Sequence, residues 1–516
     1  MDSCSYWIDT GPLPAFPKLT KDLEVDVVVV GGGITGITAA YLLKKSGHTV
    51  ALIERRRCAA GDTGYTTAHL TAVTDARLTE LAKNFGKAEA RLVWDAGMAA
   101  IDQVHGNIRQ EKIDCEFKWV PGYLHAPLRR NDAKDRESLV NEARLAQEFG
   151  WAAEFLDEIP ALGLAGVRFD NQAKFHPRKY LAGLARAIPG DGSHIFEETA
   201  ASEVQEQPLA VTADEHKIRC RYLIIATHTP LMGKSGTASA LLFQSKLFLY
   251  STYAIGARIP QKLIPEALFW DTDNPYYHLR VEKFDGFDYV IFGGEDHKTG
   301  QGDEEKSYAE LEKILLKLIP SAQIDHRWSG QVIETPDGLP YIGETAPGQF
   351  VATGYAGNGM TFGTLGAMMA VDAFLKRRNP WAELFEVRRK KIKGAALDYL
   401  SENKDFPYYL VRDRVRGAEG DSLKDLGPDQ GRILKINGQK VAAYRDGKGE
   451  VTLCSPVCTH LQCIVHWNKA ERTWDCPCHG SRFKPDGSVI SGPAEEDLQK
   501  LVFDPGKEQL EPVARE

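Results

Sequence analysis

Two short boxes of cysteine and histidine residues near the C-terminus limit what this part of the chain can fold into, because together they supply the ligands of a metal centre. The first box contains Cys458, His460 and Cys463, and the second contains Cys476, Cys478 and His479. Fifteen residues separate His460 from Cys476. One thiolate and one imidazole from each box suit either a tetrahedral zinc site or an iron–sulfur cluster with two histidine ligands.

The zinc alternative accounts for fewer of these residues. A closed zinc site takes four ligands, which leaves Cys463 and Cys478 without a role. It also does not account for Gly480-Ser481 or for the segment Ser491–Ala494. The whole pattern, over about residues 412–516, resembles the Rieske protein of the respiratory quinol–cytochrome c complex, in which two histidines replace two cysteines on one iron of a [2Fe–2S] cluster.

The resemblance implies a role for each residue of the boxes. The implied ligands are Cys458 and Cys476 on one iron and His460 and His479 on the other. It also implies that a disulfide between Cys463 and Cys478 joins the two loops, and that Ser481 donates a hydrogen bond to a bridging sulfide.

The other end of the chain carries a glycine-rich turn between a strand and a helix. The apolar segment Val25–Val30 is typical of a buried strand, Gly31–Gly36 follows it, and Ile37–Lys45 has the pattern of a helix. A second apolar strand, Val50–Ile53, ends at Glu54. This order is the context that a dinucleotide-binding fingerprint requires.

Each conserved feature of such a fingerprint has a physical purpose here. Gly31 permits the tight turn, Gly33 lets the backbone approach a pyrophosphate, and Gly36 lets helix and strand pack closely. The helix N-terminus offers N–H groups and positive partial charge to the phosphates, and Glu54 accepts hydrogen bonds from ribose hydroxyls. Further cofactor-binding residues predicted in this region are Ile34, Thr35, Arg55, Thr66 and Thr67.

Two later segments favour FAD over NAD. Tyr222–Thr227 is an apolar strand that ends in small residues, and Asp337–Gly343 precedes a glycine-rich segment, Phe350–Thr361, and a helical run to about Leu375. Together these resemble the FAD-dependent amine oxidoreductases of the D-amino-acid oxidase, glycine oxidase and sarcosine oxidase family, over about residues 20–400. The cofactor-binding residues that the resemblance implies are Ala226, Thr227, Gly354, Gly359, Met360 and Thr361.

The expected fold follows from these two resemblances. It is an α/β Rossmann-like FAD-binding domain with an α+β substrate domain, followed by a small all-β Rieske domain. The FAD part is predicted at 20–100, 190–235 and 325–395, the substrate part at 100–190 and 236–325, a linker at 401–416 and the Rieske domain at 417–516. Strand patterns at 255–292 and helical patterns at 134–150 and 304–319 agree with this division.

Composition excludes several classes of partner. A net charge of −8 over 516 residues argues against nucleic acid. No apolar run reaches the roughly 18 residues that span a bilayer, and the first residues lack the pattern of a signal peptide. We therefore expect a cytoplasmic protein with no transmembrane segment.

The family resemblance implies oxidation of a C–N bond in a small amine or amino acid, for which the protein orients the substrate and holds its amine neutral. An Arg or Lys would pair with a substrate carboxylate. The candidate catalytic residues are Tyr277, His278, Arg280, Lys246 and Tyr355. Some relatives attach FAD covalently to a histidine, and His69 lies one position from that pattern.

Two cofactors in one chain imply a division of labour. FADH2 holds two electrons, which would pass one at a time to the cluster and on to an external acceptor, either a protein or a quinone. The ligands His460 and His479, expected to be exposed, are the predicted exit. The alternatives are a non-catalytic electron carrier or redox sensor, and a reductase in which electrons run from the cluster to FAD. A Rieske oxygenase would also need a mononuclear iron with two histidines and a carboxylate, and no His-rich cluster outside the boxes supplies one.

The residue two positions after Ser481 predicts the reduction potential. High-potential Rieske proteins carry a Tyr there whose hydroxyl bonds a ligand sulfur, whereas this chain has Phe483. Hydrogen bonds to the sulfurs raise the potential. We expect a redox titration to place the cluster below the top of the Rieske range, which runs from roughly −150 to +300 mV. A midpoint near +300 mV would contradict this.

Overall fold

The structure, a computed structural model, describes residues 4–129, 133–230, 243–389, 402, 405–504 and 509–513. Its α-helices are α1 Tyr6–Thr10, α2 Ile34–Lys45, α3 Leu78–Asn84, α4 Lys87–Glu111, α5 Ala133–Glu148, α6 Pro177–Ala187, α7 Glu304–Leu318, α8 Gly359–Phe374, α9 Ala382–Phe385 and α10 Asp405–Val415. Short 3-10 helices lie at Asp62–Gly64 and Leu423–Asp425.

The strands of the N-terminal part are β1 Leu23–Glu24, β2 Val27–Val30, β3 Val50–Ile53, β4 His69–Leu70, β5 Lys118–His125, β6 Ala153–Leu156, β7 Gly166–Lys174, β8 His194–Phe196, β9 Ala201–Glu206, β10 Leu209–Ala213, β11 His216–Arg219, β12 Tyr222–Ile225, β13 Phe248–Ile259, β14 Leu268–Asp271, β15 His278–Lys283, β16 Asp288–Lys298, β17 Gln323–Glu334, β18 Tyr341–Ala346 and β19 Gln349–Thr353. Those of the C-terminal part are β20 Gln430–Ile436, β21 Gln439–Arg445, β22 Val451–Cys454, β23 His466–Asn468, β24 Thr473–Asp475, β25 Arg482–Phe483, β26 Val489–Ser491, β27 Lys500–Asp504 and β28 Gln509–Pro512.

A mostly parallel sheet carries the glycine-rich turn. Its strand order is β18-β19-β12-β2-β3-β8, and only β18 runs antiparallel to its neighbour. All four residues of β2 are buried, as expected for a parallel sheet with both faces covered. Helices α2 and α8 pack against each other beside this sheet, so their N-termini lie at its carboxyl edge.

A second, largely antiparallel sheet has the order β17-β13-β16-β15-β14-β5-β7-β4, with β6 beside β7. Helix α7 packs on β13 and β16. Strands β4 and β17 come from stretches predicted for the FAD part but pair in this sheet, which brings it against the glycine-rich turn. A smaller sheet, β1-β11-β10-β9, completes the N-terminal part.

The C-terminal part consists of two antiparallel sheets, β20-β21-β22-β27-β28 and β23-β24-β25-β26. The turn at Asn437-Gly438 joins β20 to β21, and both residues have positive φ, +51° and +84°, as a type I′ hairpin needs. The expected fold class, an α/β part followed by a small all-β domain, is confirmed.

Most of the predicted linker is helical where the structure describes it. Residues 405–415 form α10, while 401, 403 and 404 lie outside the described residues. Helix α10 is anchored on the C-terminal sheets by Asp413, whose Oδ2 lies 2.8 Å from His466 Nε2, and by Leu410, which packs against their core. Nowhere in the described chain is a helix both long and apolar enough to cross a membrane.

Buried polar contacts join the two parts. Gln331 on β17 donates from Nε2 to Gly480 O at 2.7 Å and accepts at Oε1 from Ser491 Oγ, also at 2.7 Å. Thr229 Oγ1 donates to Gly492 O at 2.9 Å. Because buried polar groups are costly to leave unpaired, these contacts fix how the C-terminal boxes sit on the N-terminal part.

Candidate cofactor site and metal centre

The glycine-rich turn joins β2 to α2 and brings the backbone of α2 very close to the backbone of the turn. Gly31 has a φ of +108°, and its N–H donates to Ile53 O at 2.9 Å. A Cβ on Gly36 would lie 1.9 Å from Gly31 O. Helix and strand can therefore approach this closely only with glycine at position 36, which is the packing that a dinucleotide fingerprint needs.

Glu54 spans the turn from the end of the next parallel strand. Its Oε2 accepts from Gly32 N and its Oε1 from Arg56 N, both at 2.8 Å. Each carboxylate oxygen has further lone pairs, so this position retains acceptor capacity for a ribose. That role stays a prediction.

A cavity of about 310 Å³ opens at the turn and continues beneath the second sheet. The predicted cofactor-binding residues that line it are Gly31, Gly33, Ile34, Thr35, Glu54, Arg55, Thr66, Thr67, Ala226, Thr227, Gly359 and Met360. The other three, Gly36, Gly354 and Thr361, are absent from the described cavity wall. Thr361 lies behind the cavity wall, where its hydroxyl donates to Thr71 O at 2.8 Å.

The polar character of this end of the cavity fits an anionic dinucleotide. The first turns of α2 and α8 both reach the wall, so positive helix ends face the space. Arg55, Arg56 and Arg57 line the same end. The charge at this end of the cavity is therefore compatible with the cofactor-binding role that the sequence predicts for these residues.

Two of the five substrate candidates line the cavity. Tyr355 does, but its hydroxyl already lies 2.7 Å from Thr35 Oγ1 and 3.1 Å from Ala352 O. His278 is 8% exposed, and neither ring nitrogen has a hydrogen-bond partner among the described residues. Burial lowers the pKa of His278 to about 4, so the ring is neutral at pH 7.

The structure does not bring Arg280 to the cavity. It is fully buried, donates to Ala68 O and Phe175 O, and pairs with Glu282. Its guanidinium also lies 4.9 Å from the Trp7 ring centroid. Arg280 therefore holds the N-terminal segment against the second sheet and is not available to a substrate carboxylate.

Lys246 and Tyr277 also lie off the cavity wall. Lys246 Nζ lies 5.9 Å from the centroid of the Tyr341 ring. Tyr277 points to the other side of its strand, where its hydroxyl donates to Glu295 and its ring stacks on Phe292. Alternation of side chains along a strand separates it from its neighbour His278.

His69 gives no support to covalent attachment of FAD. It lies in β4, with its ring 5.4 Å from that of His278, and it is not part of the described cavity wall.

Besides Asp62 and Glu495, three mutually interacting carboxyl groups on the cavity wall were missed from the sequence. They are Asp75, Asp296 and Glu334. Tyr276 donates from its hydroxyl to Asp75 Oδ2 at 3.0 Å. Every residue of β17 from Gly330 to Glu334 lines the cavity, so alternation along the strand could not have singled out Glu334.

These carboxyl groups have strongly raised pKa values. Burial raises the pKa of Asp75 and Asp296 to about 7 and that of Glu334 to about 8. Mutual repulsion adds to the effect, since Asp296 acts on Asp75 and both act on Glu334. Asp75 has a large accessible surface, but that surface belongs to the cavity it lines. Such shifts are typical of functional sites.

The two C-terminal boxes form adjoining loops. Cys458 N donates to Cys463 O, and Cys476 N donates to Ser481 O, both at 2.8 Å. A disulfide joins Cys463 to Cys478, as the resemblance implied. These two sulfurs lie within 4.8 Å of Cys476 Sγ, but as a disulfide they are not thiolate ligands.

The four predicted ligands converge beside this disulfide. Cys458 and Cys476 are buried free thiols, and the rings of His460 and His479 have their centroids 4.9 Å apart. Ser481 Oγ accepts from Ala494 N at 3.0 Å, which leaves its own proton to be donated towards a cluster.

The hydrogen bonding of His460 fits a metal ligand. Gln244 donates from Nε2 to Pro230 O at 2.9 Å, so its Oε1, 3.0 Å from His460 Nε2, is the acceptor of that N–H. The proton therefore sits on Nε2. Nδ1 is buried without a hydrogen-bond partner in the described part of the chain, and its lone pair suits an iron.

The predicted exit through exposed histidine ligands does not match this arrangement. Gln244 belongs to the N-terminal part, so the Nε2 edge of His460 faces that part and is covered by it. His479 is also partly buried.

The dinucleotide cavity and the metal centre share a wall. The segment 490–495, which follows the second box, lines the cavity, and Ile490 O accepts from Arg55 Nη2 at 3.3 Å. The same segment contains Ala494, which is bonded to Ser481 of the second box. One short loop thus connects both sites.

The fold and the two sites define a flavin-dependent oxidoreductase that carries a Rieske domain. Residues 26–373 match the family model of the FAD dependent oxidoreductases (DAO), and residues 420–502 match that of the Rieske [2Fe-2S] domain. The chain belongs to this family of FAD-dependent oxidoreductases, and its cofactors are FAD and a Rieske [2Fe–2S] cluster.

Similar proteins share one or both parts. YhfW of Bacillus subtilis (strain 168), described as a Rieske 2Fe-2S iron-sulfur protein, is 35% identical over 97% of this chain and 98% of its own length. Gamma-glutamylputrescine oxidoreductase of Escherichia coli (strain K12) is 24% identical over 70% of this chain and 85% of its own length. Glycine oxidase from Geobacillus kaustophilus has a similar fold, with a TM-score of 0.60 at 17% identity over 71% of this chain and 99% of its own.

Gly36→Ala tests the packing of the turn. Because its Cβ would overlap Gly31 O, we expect α2 to shift and the purified protein to lose most of its FAD, measured by visible absorbance. Gly106→Ala is the control, since a Cβ there meets nothing within 4 Å. The EPR signal of the reduced cluster should persist in both variants. Full FAD content in Gly36→Ala would contradict the assignment.

Proposed function

We propose that this protein oxidises a C–N bond of a small amine and that its electrons pass within one chain towards the cluster and an external acceptor. The observation that carries the proposal is the wall shared by the dinucleotide cavity and the second cysteine/histidine box. Family membership and the relationship to an oxidoreductase named for an amine substrate also support it.

The chemistry divides between cofactors and chain. When bound, FAD would supply the two-electron, two-proton oxidation of the C–N unit to an imine that water would hydrolyse, and the cluster would supply one-electron transfer. Strands of the second sheet cover part of the cavity. His278, neutral and without a partner among the described residues, is positioned to contact a substrate, and Tyr355 holds the start of α2 through Thr35.

Direction of electron flow can be tested directly. We expect anaerobic titration of the cluster-replete protein with a panel of amines and amino acids to bleach the flavin and then produce the EPR signal of the reduced cluster. The signal should form at a rate independent of protein concentration, because both sites lie in one chain. If dithionite reduces both centres but no amine does, the protein is an electron carrier or a reductase running the other way.

Gln244 is proposed as a positioning residue for the metal centre. Gln244 Oε1 accepts a hydrogen bond from the Nε2–H of His460. This bond makes the imidazole more electron-rich, which favours the oxidised cluster. Gln244→Leu should therefore raise the reduction potential by on the order of 50 mV, the equivalent of one hydrogen bond of about 1 kcal/mol for a one-electron couple.

The control is Gln499→Leu, because Gln499 is a partly buried glutamine of the Rieske domain whose side-chain amide donates to backbone oxygens of Lys500 and Val513. Its potential should match that of the parent. An unchanged potential in Gln244→Leu, with FAD and cluster contents intact, would remove Gln244 from this role.

A further inference from the structure

The three cavity carboxyl groups come from three separate elements. Asp75 lies in the loop before α3, Asp296 on β16 and Glu334 at the end of β17. A Cβ added to Gly357 would lie 2.1 Å from Asp75 Oδ2. Asp75 therefore packs against the segment that leads into α8. The cluster therefore lies at the α8 side of the cavity.

A β-bulge between β13 and β16 turns the Asp296 side chain towards the cavity. The pairing of β13 with β16 shifts register between Ser251 and Tyr253, and Glu295 has a φ of +59°. Such a bulge re-aims the side chains around it and is common beside active sites. Asp296 Oδ1 is buried and has no hydrogen-bond partner among described residues.

No lysine or arginine of the described chain forms an ion pair with Asp75, Asp296 or Glu334. Two basic residues next to this cluster along the chain or through neighbouring acids pair with other carboxylates. Arg129 pairs with Glu295, and Lys298 pairs with Glu402.

An independent observation on the same wall also points to a ligand. His278 is nine-tenths buried, and both its ring nitrogens lack hydrogen-bond partners within the described residues. A buried donor and acceptor without partners cost free energy. A ligand with polar hydrogens would satisfy the acceptor nitrogen and the carboxylates together.

We propose that this end of the cavity binds the ammonium groups of a cationic amine, with a diamine as the simplest case, and not the carboxylate of an amino acid. The proposal rests on the proposed function and names its substrate class. An amino acid would bring its carboxylate to three acidic groups that have no counter-cation among the described residues, because Arg280 and Lys246 lie elsewhere. A diamine would place one nitrogen for oxidation and leave the other for the carboxylates.

The affinity for such a cation should depend on pH. A carboxyl group binds a cation in its ionised form, and these groups have pKa values raised to about 7 and about 8. The groups that face them are Tyr276, Thr252, Glu295, Glu402 and the neutral His278. Ionisation increases as the pH rises, so affinity for 1,4-diaminobutane should increase roughly tenfold from pH 6 to pH 8.

The test is equilibrium dialysis of the FAD- and cluster-loaded protein, reduced with dithionite so that binding occurs without turnover. We expect 1,4-diaminobutane to bind at least about tenfold more tightly than n-butylamine or glycine, because only the diamine offers a second positive charge. Glu334→Gln and Asp296→Asn should each weaken diamine binding by roughly tenfold and flatten its pH dependence. The control, Glu203→Gln, alters an exposed acid on β9 and should bind as the parent does.

The outcomes separate this inference from the proposed function. Glycine binding as tightly as the diamine, or unchanged diamine affinity in both cavity variants at full FAD content, overturns the inference. If amino acids then bleach the flavin of the oxidised protein, the proposed function survives with another substrate class. If the diamine binds as expected but no amine bleaches the flavin, the binding site stands and the proposed function fails.

Discussion

The placement of the C-terminal part on the N-terminal part depends on one buried side-chain amide, that of Gln331. It donates to the backbone of the second metal box and accepts from Ser491 on the segment that closes the dinucleotide cavity. Neither bond is strong by itself, but losing one would leave a buried polar group unpaired at a cost of about 1–3 kcal/mol. Because Gln331 lies on β17, the sheet that covers the cavity also fixes the metal centre against it.

This constraint sets the direction in which the cluster site faces. The Nε2 edge of His460 contacts Gln244 of the FAD-binding part. In an isolated Rieske domain this edge would be open to solvent, whereas here it lies between the two parts. Under the proposed function, an external acceptor would need to approach another face of the domain, because this edge is covered by the FAD-binding part.

The features that sequence could predict are those fixed by neighbouring residues. The strand–turn–helix around Gly31 and Gly36, the hairpin at Asn437 and the cysteine/histidine boxes are local patterns whose geometry follows from residue type and spacing. Arg280 could not be assigned, because its burial depends on contacts with segments more than 100 residues away. The exposure of His460 failed as a prediction for the same reason. Asp296 needed the bulge at Glu295, which only strand pairing reveals.

The cavity wall carries both basic and acidic side chains. Arg55, Arg56 and Arg57 follow the strand next to the glycine-rich turn, while Asp75, Asp296 and Glu334 lie close together beside the segment that leads into α8. These three carboxyl groups lower the stability of the fold. An acid whose pKa is raised on folding lowers the free energy of unfolding as the pH rises from the unfolded pKa near 4 through the folded pKa. A purely structural role would favour apolar residues there. The arrangement makes physical sense when a cation lies beside these carboxyl groups, because its charge lowers the same pKa values and reverses the destabilisation.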